Sequence, residues 1–404
     1  MARDLRRLLR PKSVALFGSG WAENVVTQLR KGEYRGNVYV VHPERQSLHG
    51  ASCVKNLEEL PEVPDACFIG VNRAATVDIV GQLAALGCGG AVCFASGFQE
   101  TDSSEGKRLQ AELVAAAGEM PFLGPNCYGY LNYLDNTALW PDEHGGIQVD
   151  RGAAIVAQSS NIAINMTMQK RGLNLSFVVT VGNQAQTQVC DVVDAMIEDE
   201  QVSCIGLYLE GFGDIEQFAA TALRAKLAGK PIVAIKVGKS EKARTASKTH
   251  TASLAGSAAA SSALLARLNI IEVESISVFL ETLKLLDNFG PLKSNSVASI
   301  SCSGGEASLM ADLAMRTQIE FVDFDPTSQK RLETLLGDRV SVTNPLDYHT
   351  YIWGDVPVMT QCFATIMASN HAAHIFVLDI PRADRCNSSG YECAIEAICA
   401  ATLK

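Results

Sequence analysis

No apolar run in the 404 residues reaches the roughly 18 needed to span a bilayer, and the opening "RDLRRLLRPK" has no apolar centre of the kind a signal peptide carries. The expectation is a cytoplasmic chain without a membrane partner, opening on an amphipathic helix. Basic stripes are missing as well. Lys and Arg number 34 against 44 Asp and Glu, a net charge of −10, which argues against a nucleic-acid footprint. The twelve cysteines form no Cys-x-x-Cys pair and no His/Cys cluster has zinc-ligand spacing, so neither a disulfide scaffold nor a metal site is expected. Cys67, Cys93, Cys204 and Cys302 lie in apolar, strand-like runs and read as reduced, buried thiols. His371 and His374 read as the end of a helix before the strand "HIFVLDI".

What is present is α/β alternation. With 47% hydrophobic and 19% charged residues, the chain places short apolar runs between helix-length segments. "SVALFG", "NVYVVHP", "ACFIGV", "GAVCFAS" and "MPFLGPN" fill the first 126 residues; "AAIVAQS", "LSFVVTVGN", "SCIGLYLEG" and "PIVAIKVG" follow; "VASISCSGG", "IEFVDFD" and "HIFVLDI" make a third series. Three open parallel-sheet units are expected, at 1–145, 146–290 and 291–404, with "DEHGGIQVDRG" and "GPLKSNS" as linkers. The third shows three strands and then a helix, "YECAIEAICAATLK", where a further strand should pair, so it reads as incomplete.

Ligands of open α/β sheets bind beyond the carboxyl ends of the strands. The first such loop, "FGSGWAENV", offers Gly18, Ser19 and Gly20, but Glu23 stands where a dinucleotide fingerprint has its third glycine, which weakens an NAD reading. "GVNRAAT", "ASGFQET" and "GPNCYG" end later strands with small residues and side-chain donors, and each alone also reads as an ordinary strand-to-helix turn. "AQSSNIAINM" runs a strand into a helix whose first turn holds Ser159, Ser160 and Asn161, either an anion site or a plain cap. Glu210 sits at the carboxyl end of "CIGLYLE", where a buried carboxylate needs a partner. His250 lies in "SKTHTASLAGSAAASSA", a run low in bulky side chains and suited to an exposed loop. A neutral imidazole there, its tautomer fixed by a carboxylate, could carry a phosphoryl group; a solvent-exposed loop histidine is the plainer alternative.

"KTHTASLAG" resembles the phosphohistidine loop of the NDP-forming acyl-CoA synthetases, written S-H-T-G-S-L-A-G, and "YLEG", "GNQAQTQVCD", "GPNCYG", "FASGFQE" and "VTNPLDY" match further signatures of that family. The scope is the ADP-forming acetate–CoA ligase group, similar to the succinyl-CoA synthetase α subunit. The resemblance implies a Rossmann-like CoA-binding domain followed by two flavodoxin-like, succinyl-CoA-synthetase-type domains. It implies a cytoplasmic acid–thiol ligase forming acyl-CoA from a carboxylic acid, CoA and ATP. His250 would be the phosphoryl carrier and Glu210 the residue holding its imidazole, with Ser159 and Ser160 at the phosphate-binding helix start. CoA contacts would come from Gly18, Ser19, Gly20, Pro43, Asn72, Ser96, Gly97, Phe98 and Asn126. ATP and Mg²⁺ belong to an ATP-grasp module, fused or supplied as a partner subunit, that cannot be read in this sequence. Family members commonly form homo-oligomers.

The sequence departs from the pattern in places. Ser160 and Ala252 replace glycines, Lys248–Thr249 precede His250 where Ser is common, and no Lys-Ala-Asp follows "GN". Tyr348, Tyr351 and Trp353 follow the Asn-Pro-x-Asp signature and either shape an acyl pocket with Asn126 or only pack a surface. Two alternatives to plain ligation stay open: ligation coupled to a later step such as elimination, and a CoA-binding scaffold that has lost catalysis.

Overall fold

The computed structural model describes residues 3–243 and 258–403. Three sheets carry the described residues, and the chain divides into two compact units, 1–290 and 291–404.

In the first unit, strands β1 (Ser13–Phe17), β2 (Asn37–Val41), β3 (Ser47–Leu48), β4 (Ala51–Val54), β5 (Ala66–Ile69), β6 (Ala91–Cys93) and β7 (Phe122–Leu123) form a sheet in the order β3-β4-β2-β1-β5-β6-β7. Every pairing is parallel except β3 with β4. The innermost strands are buried along their whole length, which is why "SVALF" and "ACFI" read as unbroken apolar runs. Helices fill the crossovers with one apolar face. Gly20–Lys31 buries Ala22, Val25, Val26 and Leu29, and Arg73–Leu86 is capped by the Asn72 side chain and ended by Gly87 in the left-handed region.

The second sheet runs β14-β13-β12-β10-β11-β8-β9. Its parallel part is β10 (Gly152–Ala157), β11 (Leu175–Thr180), β12 (Val202–Leu209), β13 (Ile232–Lys236) and β14 (Ile271–Glu272), the doubly wound order of a flavodoxin-like fold. The hairpin β8 (Tyr130–Asn132) and β9 (Thr137–Leu139) adds to it antiparallel through β11. Residues before 145 therefore complete the sheet that follows them. One apolar core joins residues of both sheets, from Leu8, Val14 and Phe68 to Tyr130, Phe177, Ile205 and Leu207. The opening helix, Arg6–Leu9, is one turn long and lies at that seam: the Tyr130 hydroxyl donates to the Leu8 carbonyl, and Arg10 reaches Asp135, Asp199 and Gln201.

In the second unit, β15 (Val297–Ser301), β16 (Leu346–Asp347) and β17 (Ala373–Phe376) form a parallel sheet in the order β16-β15-β17 over a core of its own. The expected strand "IEFVDFD" is reduced to a single bridge between Ser296 and Glu320; Phe324 goes to the core while its neighbours lie outside any strand. His374 sits within β17, and His371 just precedes it.

Candidate functional site

A cavity of about 570 Å³ opens where the carboxyl ends of the two sheets of the first unit converge. Ser96 follows β6; Asn126, Cys127 and Tyr128 follow β7; Gln158 to Asn161 follow β10; Gly182 and Asn183 follow β11; Glu210 follows β12; Val237 and Gly238 follow β13. Of the residues singled out in the sequence, Ser96, Asn126, Ser159, Ser160, Asn161 and Glu210 line this one space.

The serines stand at the start of the helix Ser160–Thr167, whose first turn closes with the Ala163 N–H on the Ser159 carbonyl at 3.2 Å. Ser159 occupies the cap position, but its hydroxyl makes no cap bond. The N–H groups ahead of Ala163 are those that helix geometry leaves for a ligand, at the positive end of the dipole. Ser160 already has work: its Oγ accepts the Tyr128 N–H at 3.1 Å and so anchors the "GPNCYG" loop.

Glu210 is half-buried and lies across the switch point of the second sheet from those serines, since β12 and β11 flank β10 on opposite sides. Its backbone is fixed at both polar groups. The N–H donates to Gln158 Oε1, which also takes the Gly211 N–H at 2.9 Å, and Gln158 Nε2 returns a bond to the Gly211 carbonyl at 2.9 Å. The Glu210 carbonyl accepts Lys236 Nζ at 2.9 Å. Burial pushes the Lys236 ammonium pKa down, and the Glu210 charge opposes that shift. Burial, then the same carboxylate, pushes the Tyr208 phenol up.

A second network joins three loops. Glu100 Oε1 takes the Gly97 N–H at 2.6 Å and the Phe98 N–H at 3.3 Å, while its other oxygen accepts Asn183 Nδ2. Asn183 Nδ2 also reaches Gln110 Oε1 at 3.2 Å, and Asn183 Oδ1 accepts Asn126 Nδ2 at 3.4 Å. Gly182 lets these loops close. At φ +52° it lies against Pro125 and Asn126, and a Cβ there would fall 2.6 Å from the Asn126 carbonyl oxygen.

The residues expected to contact CoA are spread along the first sheet. Gly18, Ser19 and Gly20 follow β1 at that sheet's switch point, where Gly18, at φ +114°, is pressed against the turn after β5: a Cβ would sit 2.6 Å from the Gly70 oxygen. Nothing lies within 4 Å of a Cβ built on Gly20, so that position is open. Pro43 follows β2. The Asn72 amide is engaged as a helix cap, accepting the Ala75 N–H at 3.0 Å. Phe98 is fully buried in the core, its N–H on Glu100 and its carbonyl taken by Thr101, so in this structure it offers no surface to a ligand.

The three aromatics expected either to shape an acyl pocket or to pack a surface each have a ring partner of their own. Within the second unit, Tyr348 is 3% exposed and packs edge-on against Phe363, which takes its ring away from any surface pocket there. Trp353 sits against Tyr391 with its N–H on the Gly390 carbonyl, and Tyr351 stacks on His349. His250 lies outside the described residues. Sequence reading passed over Gln158, Lys236, Glu100 and Asn183; the signal for the first two was a polar side chain at the end of an otherwise apolar strand.

Comparison with known proteins gives two family matches: the CoA binding domain over residues 12–133 and the succinyl-CoA ligase like flavodoxin domain over residues 150–286. The chain is 32% identical over 377 residues to a trans-feruloyl-CoA synthase from an unknown prokaryotic organism, covering 90% of this chain and 53% of that protein. It is 28% identical over 323 residues to the ADP-forming acetate–CoA ligase II subunit alpha of Pyrococcus furiosus, covering 78% of this chain and 69% of the subunit. The chain thus spans about half the length of the first of these relatives and more of the second, which is named as one subunit. In fold it resembles the dinucleotide-forming acetyl-coenzyme A synthetase 1 of Ca. Korarchaeum cryptofilum in its apo form, with a TM-score of 0.84 at 22% identity over 99% of this chain and 86% of that one.

Proposed function

Because the chain belongs to the NDP-forming acyl-CoA synthetases, which join a CoA-binding domain to a succinyl-CoA ligase-like one, we propose that it is the acyl-CoA-forming part of a ligase acting on a carboxylic acid, CoA and ATP. The convergence of Ser159, Ser160, Glu210 and Asn126 on one cavity, built from both sheets, is the observation that carries this reading.

The chemistry assigned to it runs in three transfers. A ring nitrogen of His250 takes the terminal phosphoryl group of ATP, the P–O bond to ADP breaking as the P–N bond forms. The carboxylate oxygen of the acid then displaces the imidazole and becomes an acyl phosphate. The CoA thiolate attacks the acyl carbonyl, the C–S bond forms, and phosphate leaves. ATP and Mg²⁺ act on an ATP-grasp module, either further along the same protein or on a partner subunit. Glu210 holds the imidazole tautomer and stabilises the cation that develops on phosphorylation. The helix start at Ser159 and Ser160 receives the phosphoryl group with backbone N–H groups and the dipole. Asn126 stands at the acyl and thiol ends, and Gly18, Ser19, Gly20, Pro43, Asn72, Ser96 and Gly97 follow the CoA body along the first sheet. Relatives are named for feruloyl-CoA and for acetate, so the acid falls between an aromatic and a small aliphatic one.

Peptide mass spectrometry of the whole enzyme after incubation with ATP, or of this chain with acetyl phosphate, tests the reading. An acid-labile phosphate on the His250 peptide, discharged by CoA plus an acid, is the expected result. Replacing His250 with Ala is expected to lower turnover by roughly a thousand-fold or more while CoA still binds. Turnover preserved in His250→Ala would sink the mechanism, and CoA binding without phosphorylation or turnover would turn the assignment to a scaffold.

A further inference from the structure

Phe94 and Tyr128 line the same cavity as Glu210, Asn126 and the serines. Both rings are half-buried and braced from behind. Their centroids are 5.6 Å apart at a tilt of 47°; Phe94 leans on Trp21 at 4.8 Å and Phe68 at 5.8 Å, and Tyr128 on the fully buried Trp140 at 5.4 Å. Such contacts hold the two rings in place and leave the remaining aromatic surface to the cavity. The wall also stands next to the reacting end, because the Tyr128 N–H donates to Ser160 Oγ at 3.1 Å. The loops after β6 and β7 therefore supply an aromatic side, and the loops after β10 and β12 a polar one. At about 570 Å³ the space exceeds what a two-carbon acid fills, and on the ligase reading it also admits the phosphoryl group and the thiol end of CoA.

On the ligase reading above, we propose that the acid is a planar aromatic carboxylic acid whose ring lies against Phe94 and Tyr128, and that these two residues set the enzyme's selectivity. The carboxylate faces the helix start at Ser159 and Ser160. Edge-to-face and offset contacts with the tilted rings favour a flat π-system over a saturated ring of the same size.

The test uses the whole ATP-dependent enzyme with CoA and four acids: cinnamate, benzoate, cyclohexanecarboxylate and acetate. The expected order places the two aromatic acids first in kcat/KM. Phe94→Ala and Tyr128→Ala are expected to reduce the preference for cinnamate over acetate by roughly ten- to a hundred-fold, with the KM of the acid carrying the change. Phe94→Leu and Tyr128→Leu keep more of the side-chain volume and should lose the preference for cinnamate over cyclohexanecarboxylate, whereas Tyr128→Phe should keep it. Acetate or the saturated ring preferred by the unsubstituted enzyme overturns the proposal. So does a change confined to the KM of CoA, which would assign the rings to the pantetheine arm. Failure of the ligase reading looks different: no acid yields an acyl-CoA. Calorimetric titration of cinnamate into this chain then decides the pocket by itself, with binding weakened in Tyr128→Leu supporting it and no binding to the unsubstituted chain overturning it.

Discussion

Gln158 positions more of the site than the serines beside it. The residue is 8% exposed, and its side chain holds two N–H groups and one carbonyl of the Glu210–Gly211 turn. Gln158→Leu, close in size, strands those groups in a buried place, and an unpaired buried polar group costs about 1–3 kcal/mol. Urea unfolding should show a loss in that range, together with lower turnover; Gln158→Glu, which keeps the acceptor, should lose less. A Leu variant as stable and active as its parent would show that the turn holds Glu210 without this clamp. His144 is another buried group with a measurable signature. Burial, with help from the Lys31 charge and against that of Glu143, pushes its imidazole down to about 4, and its Nδ1 lies 3.2 Å from the Tyr133 hydroxyl. The unfolded imidazole titrates near 6.5, so between pH 4 and 6.5 the unfolded chain binds more protons. The stability tied to neutral His144 is therefore complete above about pH 6.5 and falls as pH drops towards 4, by up to roughly 3 kcal/mol at about 1.4 kcal/mol per pH unit. His144→Gln should lose less stability than its parent between pH 7 and 4.5 in paired urea titrations; equal losses would place the acid sensitivity elsewhere.

At the level of elements, the site is a set of strand ends tied to one another. Gly182 lets the turn after β11 meet the turn after β7, and Asn183 then links Asn126 to Glu100. Gly182→Ala drives a Cβ into the Pro125 and Asn126 carbonyls at a positive φ. It should cost on the order of 1–3 kcal/mol and reduce turnover, because Asn126 and Asn183 part with the loops; a variant with unchanged melting and rate would show that the turns meet loosely in solution. Much of this architecture could be read from the chain. β1, β10, β12 and β13 are buried on both faces, so their runs are continuous, and the glycines, serines and Asn126 at their ends mark the loops. Partners across space could not be read: Glu100 and Asn183 are 83 residues apart and neither has an apolar period to announce it. The hairpin β8–β9 was hidden for a related reason. "YLN" and "TAL" are too short to show alternation, and only pairing across space, of β8 with β11 and of β9 with β8, makes them strands. "IEFVDFD" misled in the other direction, since its single core residue, Phe324, needs no strand to be buried.

For the whole molecule, composition pointed to a linker at "DEHGGIQVDRG", yet the chain on either side of it is structurally interlocked. β8 comes from before that stretch and pairs with β11 after it, carrying β9 on its other edge, one core runs through both sheets, and Arg10 bonds to Asp135 on one side and Asp199 and Gln201 on the other. Cutting there exposes apolar surface on both pieces, at about 25 cal/mol for each Å². The stretch at Gly290–Pro291 is different, because the cores on its two sides are composed of separate residues. A fragment of residues 1–290 should therefore unfold in a single urea transition with coincident fluorescence and circular-dichroism midpoints, whereas a fragment of residues 1–145 should lack a cooperative transition altogether. A cooperative 1–145 fragment would mean that the first sheet closes its core without β10 and β11, and that the candidate cavity is assembled from two independently folding halves; two separated transitions in 1–290 would say the same. A single transition in 1–290 makes the cavity a feature of one cooperative body. Substitutions in its lining, such as Gln158→Leu, should then shift the melting of both sheets together.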